Sequence, residues 1–130
     1  MGKRLKVLVV EGEDMLAEDL YVCLRLRACD VRLVASADRA LDVAGDFAPD
    51  VLIFDDPDCG TKGLRTLRTI RDSHPATECI LIANRSAAAR PTHDANPGVR
   101  RILPRGFTLS ELTAALPAAH PVARDTAMTT

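Results

Sequence analysis

The sequence predicts an α/β fold in which helices cover both faces of a parallel sheet, and two observations carry that prediction. Strand-like and helix-like patterns alternate five times along the 130 residues, the order that builds right-handed crossovers on a parallel sheet. The runs Val7-Leu8-Val9-Val10-Glu11 and Val51-Leu52-Ile53-Phe54-Asp55 are apolar until each finishes on a carboxylate, as expected of strands covered on both faces. In open parallel sheets, ligands bind beyond the carboxyl ends of the strands. If these two strands are neighbours, their carboxylates meet there and repel unless a cation separates them. The pattern points to a divalent-metal or phosphate site.

The elements follow in order. Leu5–Val10 reads as the first strand, and Met15–Leu26 as a helix with Leu16, Leu20, Cys23 and Leu24 on one face. Val31–Ala35 is a shorter second strand. Asp38–Ala44 is a helix with Ser36 or Asp38 as N-cap and Gly45 as its stop. Val51–Phe54 is the third strand. After a loop at Asp56–Lys62, Gly63 opens a helix over Leu64–Ser73 that buries Leu64, Leu67 and Ile70 and ends at Pro75. Arg65, Arg68 and Arg71 line an adjacent face, the pattern of a solvated helix surface. Cys79–Ala83 and Arg101–Leu103 complete the strands. Between them, Asn84–Gly98 holds Pro91 and Pro97 and no sustained apolar stripe, so an irregular fourth helix is expected there. Thr108-Leu109-Ser110-Glu111 is a capping box that starts a last helix through Leu112 and Leu116. One domain over 1–116 and a disordered tail over 117–130 are expected.

Composition narrows the function classes. Apolar residues make up 47% and charged residues 27%, as in ordinary globular domains. No run approaches the roughly 18 apolar residues of a membrane span, and Met1–Lys6 lacks the apolar region of a signal peptide, so the cytoplasm is the expected location. Cys23, Cys29, Cys59 and Cys79 show no C-x-x-C spacing, and His74, His93 and His120 no ligand spacing. Residues 1–65 carry 9 basic and 13 acidic side chains, a net −4; residues 66–130 carry 8 and 5, a net +3. The late arginines at 85, 90, 100, 101 and 105 could attract an acidic partner. With no Trp, 1 Tyr and 3 Phe, base stacking has little to work with, and nucleic-acid binding is not expected.

Three segments together resemble the response-regulator receiver domain, the CheY-like phosphoacceptor module of two-component signalling. They are Leu8-Val9-Val10-Glu11-Gly12-Glu13, Pro49-Asp50-Val51-Leu52-Ile53-Phe54-Asp55 with Gly63 beyond, and Leu103-Pro104-Arg105-Gly106-Phe107-Thr108 leading into the last helix. The resemblance runs from Lys6 to Leu116. It implies a flavodoxin/CheY-like sheet of strand order 2-1-3-4-5 and a phosphorelay function: Asp55 as phosphoacceptor, taking phosphate from a histidine kinase or phosphotransfer protein. Magnesium would be held by Glu11, Asp55 and the Pro57 carbonyl, and a downstream protein would bind the face built by 84–116. A signalling phosphoprotein, not an enzyme, is implied.

The departures from the family pattern are physical. The second acidic position is Gly12, the hydroxyl position ending the fourth strand is Ala83, the aromatic switch position is Ile102, the lysine is Arg105 and the following proline is Gly106. Magnesium needs near-octahedral oxygen ligation through one or two carboxylates, so weak or absent magnesium binding is expected; Asp58 or Glu13 are the candidate substitutes for Gly12. Arg105 keeps the charge but is a planar fork, not a compact ammonium. A hydrogen bond to a charged group is worth about 1.5–3 kcal/mol, a large part of the roughly 5.5 kcal/mol that inverts a two-state switch. The resemblance thus leaves two readings: a stand-alone phosphoacceptor with a degraded site, or a phosphorylation-independent pseudo-receiver that binds protein. Phe54-Asp55-Asp56-Pro57-Asp58-Cys59-Gly60-Thr61 also loosely resembles the nucleophile loop of haloacid-dehalogenase-like phosphatases, but Cys59 interrupts it and no later Asp-Asp pair with a lysine follows.

Overall fold

A computed structural model describes residues 4–12, 14–55, 61–83 and 98–117. The strands are β1 (Lys6–Val10), β2 (Asp30–Val34), β3 (Val51–Asp55), β4 (Glu78–Ala83) and β5 (Val99–Pro104). The helices among these residues are α1 (Asp14–Leu26), α2 (Ala37–Phe47), α3 (Thr61–Ser73) and, after β5, α4 (Leu109–Ala115). The strands form one parallel sheet in the order β2-β1-β3-β4-β5, the expected doubly wound fold. Expectations for Glu13, the loop at 56–60, the crossover at 84–97, the tail from 118 and the side chain of Leu16 fall outside the described residues.

Alternation along the strands divides the core in two. Val7, Val9, Val51, Ile53, Ile80 and Ile82 face Leu20 and Leu24 of α1 and Leu112 and Ala115 of α4. Leu8, Val10, Leu52, Phe54 and Leu81 face Ala40, Ala44 and Phe47 of α2 and Leu67 and Ile70 of α3. Each fully buried large aliphatic side chain stabilises the fold by about 1.5–3 kcal/mol. Gly63 sets how closely α3 approaches β3, since a Cβ there would lie 2.9 Å from the Phe54 ring. Cys29 and Cys79 are buried and free, and desolvation pushes both thiols up.

Three local expectations are corrected. Gly45 does not stop α2, which continues to Phe47 because that ring is buried; the cap is Ala48 at φ 51, whose N–H donates to Ala44 O at 2.9 Å. Arg71 leaves the solvated row: its Nη1 donates to Thr77 O at 2.5 Å, and its side chain lies against Gly98. β5 is longer than the predicted Arg101–Leu103, running from Val99 to Pro104. The capping box of α4 is formed as expected, with Glu111 N–H donating to Thr108 Oγ1 at 3.1 Å and Thr108 N–H to Glu111 Oε1 at 2.8 Å. Among the described residues, no helix is long and apolar enough to cross a membrane.

Candidate functional site

The site lies at the carboxyl ends of β1, β3 and β5. Val10 pairs with Phe54 in the parallel register, so the residues that follow, Glu11 and Asp55, come side by side. Both continue the alternation of Val9 and Ile53, which places them on the α1/α4 side of the sheet. Glu11 is only 8% exposed, and its backbone is fixed by the Glu11 N–H donating to Val34 O at 3.0 Å. Asp55 lies opposite Ile82 of β4.

Arg105 closes the site. Its Nη1 donates to Asp55 Oδ2 at 3.0 Å and its Nη2 to Asp55 Oδ1 at 2.5 Å, a parallel two-bond fork on the carboxylate. The Asp55 side chain is 9% exposed and that of Arg105 38%, so a nearly buried anion is neutralised by a cation that still reaches solvent. Two backbone features deliver the guanidinium. Arg105 N–H donates to the carbonyl of Ala83 at 2.8 Å, and Gly106 follows at φ +87, a conformation open to glycine and strained for other residues.

Glu11, Asp55, Ala83 and Arg105 are therefore brought together, with Gly12 beside them. Ile102 is not: it packs against the α2/α3 core, on the other side of the sheet. Pro57 and Asp58 lie outside the described residues. The pairing of Arg105 with Asp55 was missed by sequence reasoning, which treated Arg105 only as an ill-fitting lysine substitute; its signal was the coincidence of arginine there with a missing carboxylate at Gly12.

Among the described residues, the donor set does not fit magnesium. Both Asp55 oxygens already accept hydrogen bonds from a guanidinium, and Gly12 offers no carboxylate, leaving Glu11 beside an arginine-bound aspartate where near-octahedral oxygen ligation is needed. Among the described residues, no group of three or more His, Cys, Asp or Glu side chains is placed to hold a metal ion.

Residues 7–117 match the response regulator receiver domain, and the chain belongs to that family. Transcriptional regulatory protein TrcR of Mycobacterium tuberculosis is similar at 26% identity over 115 residues, covering 88% of this chain and 45% of TrcR. Transcriptional activator protein PfeR of Pseudomonas aeruginosa is 30% identical over 109 residues, covering 84% of this chain and 35% of PfeR. The chain thus spans less than half the length of either relative. The solved structure of chemotaxis response regulator CheY4 of Vibrio cholerae superposes with a TM-score of 0.73 at 18% identity, covering 88% of this chain and 100% of that one.

Proposed function

We propose that this receiver domain works as a protein-binding signalling module, in the cytoplasm, with Asp55 kept at the phosphoacceptor position but silenced by Arg105. The two-bond fork of Arg105 on Asp55 carries this reading. To attack a phosphoryl group, an Asp55 oxygen must first release a charge-assisted hydrogen bond worth about 1.5–3 kcal/mol, which alone slows the step about 10- to 150-fold. Nothing at positions 12, 83 or 102 offsets that: a carboxylate, a hydroxyl and a ring are each missing. The protein supplies its own cation to Asp55, so the arrangement persists without a metal or a phosphoryl group. Downstream contacts are assigned to the 98–116 part of the predicted output face, where Arg101 is exposed.

Incubation with a small phosphodonor and magnesium, followed by intact mass measurement, tests this. The native chain should show little acyl phosphate, and the Gly12→Asp, Arg105→Lys double variant clearly more. Stoichiometric phosphorylation of the native chain, lost in Asp55→Asn, would establish the phosphoacceptor reading instead, with a histidine kinase or phosphotransfer protein as donor.

A further inference from the structure

The outward face of α1 is apolar at its centre and carries opposite charges at its two ends. Leu20 and Leu24 turn into the core and are buried. Val22, midway between them, points the other way and is 54% exposed, and Leu26, one turn on, is 76% exposed. Glu18 and Asp19, one turn before Val22, and Arg25, one turn after it, are exposed as well. None of these three forms an ion pair among the described residues. Arg25 lies over the Tyr21 ring, 5.8 Å from its centroid, a contact that steadies the guanidinium on the helix surface.

The apolar strip extends beyond the helix. Val22 and Cys23 also line a groove of about 410 Å³ between α1 and α4, whose other walls include Phe107, Leu109 and Leu112. Leu109 is itself exposed. Isolated exposed apolar side chains are ordinary, but a contiguous set rimmed by charge marks a contact with another molecule.

The order of the charges selects that molecule. Two α1 helices laid side by side in parallel would set Asp19 against Asp19 and Arg25 against Arg25. Turned antiparallel about a two-fold axis at Val22, each residue meets the one equally far from Val22 on the other copy. Asp19 and Arg25 both stand three residues from Val22, so an acid meets a base at each end. We propose that α1 is a self-docking surface through which two copies of this chain pair. Val22 packs on Val22, Leu26 sits at the mouth of the other copy's α1/α4 groove, and Arg25 pairs with Asp19 at both ends. One helix face is a small contact, so the dimer is weak and dissociates on dilution. The pairing needs neither Asp55 nor Arg105.

Sedimentation of the full chain over a range of concentrations, at low and at high salt, tests this. The native chain should form a concentration-dependent dimer that weakens with salt. Val22→Glu, Asp19→Arg and Arg25→Asp should each weaken it about 10-fold or more, because each substitution acts twice in a two-fold contact. Mixing the Asp19→Arg and Arg25→Asp chains should restore a dimer, since both ends of the mixed pair again join a base to an acid. Asp55→Asn and Arg101→Glu should change nothing. All three substituted positions on α1 are exposed, and thermal unfolding checks that each variant is folded. The proposal fails if the native chain stays monomeric up to about 1 mM, the weak end of specific association. It fails equally if the dimer survives Val22→Glu, or if the two charge variants do not rescue one another on mixing. Loss of the dimer in Arg101→Glu would also overturn it, by placing the contact on β5.

Discussion

Arg105 and Asp55, brought together from the ends of β5 and β3, share two parallel hydrogen bonds of 3.0 and 2.5 Å. Exposed ion pairs contribute about 0–1 kcal/mol, while breaking a buried one costs about 3–5 kcal/mol. With Asp55 9% and Arg105 38% exposed, this pair lies between those limits. A double-mutant cycle of Asp55→Asn and Arg105→Gln in urea should give a coupling energy of about 1–2 kcal/mol. Arg105→Lys should recover only part of it, because an ammonium cannot bond both oxygens in parallel. Coupling near zero would mean that the fork does not hold Asp55 in solution.

Magnesium affinity should respond to two substitutions acting together. A Cβ at Gly12 would meet only Ala35 O, at 3.5 Å, so Gly12→Asp supplies the missing carboxylate without steric cost. Arg105→Lys releases one oxygen of Asp55. Calorimetric titration should find negligible magnesium binding in the native chain, a weak site in Gly12→Asp and a stronger one in the double variant. Tight binding by the native chain would contradict the misfit described above.

The turn that delivers Arg105 is testable through Gly106 alone. At φ +87, with open space around a would-be Cβ, any penalty on substitution is backbone strain and not a clash. Gly106→Ala should destabilise by about 1–2 kcal/mol. Gly106→Pro, which restores the family's residue, should cost more and displace Arg105 from Asp55, because proline is held near φ −65°. Chemical denaturation and the Arg105 side-chain resonances would report the two effects.

What could be read from the residues divides along physical lines. The parallel sheet and the strands that end on Glu11 and Asp55 were legible, because continuous apolar runs and terminal carboxylates are local signals. The strand order, and with it the meeting of the two carboxylates, came from the resemblance to receiver domains. The Arg105 fork was not legible, since it depends on a positive-φ turn at Gly106 that aims the side chain across β4. Arg71 was misassigned for a similar reason: its helical spacing describes a face, but Thr77 O and Gly98 come from later elements that draw it inward. The end of α2 was misplaced because Gly45 carries a helix penalty of about 1 kcal/mol, which burial of Phe47 two residues on outweighs.

That misplacement leads to a stabilising pair of substitutions. Gly45 sits inside α2 with nothing within 4 Å of a would-be Cβ, so Gly45→Ala should add about 0.5–1 kcal/mol. Ala48 occupies the left-handed cap at φ 51, the position that glycine favours, so Ala48→Gly should also stabilise, by up to about 1 kcal/mol. Thermal unfolding of each variant and of the pair should show near-additive gains. A loss in Gly45→Ala would indicate that α2 ends earlier in solution.

The predicted basic output face divides into structural and free charges. Arg100 Nε donates to Ala115 O, a carbonyl in the last turn of α4, at 2.7 Å, and its Nη1 pairs with Glu78 Oε1 at 3.4 Å. It therefore ties α4 to β5 and to the start of β4. Arg101, next in sequence, is exposed. Arg100→Ala should lower stability by about 1 kcal/mol through the lost carbonyl bond, whereas Arg101→Ala should change it by no more than about 0.5 kcal/mol. Partner binding should show the reverse: Arg101→Glu weakens it, more so at low salt, where charge attraction reaches furthest. Asp55→Asn should leave that affinity unchanged. If Asp55→Asn abolishes binding while Arg101→Glu leaves it intact, the output depends on the state of Asp55 and the phosphorylation-independent reading is wrong.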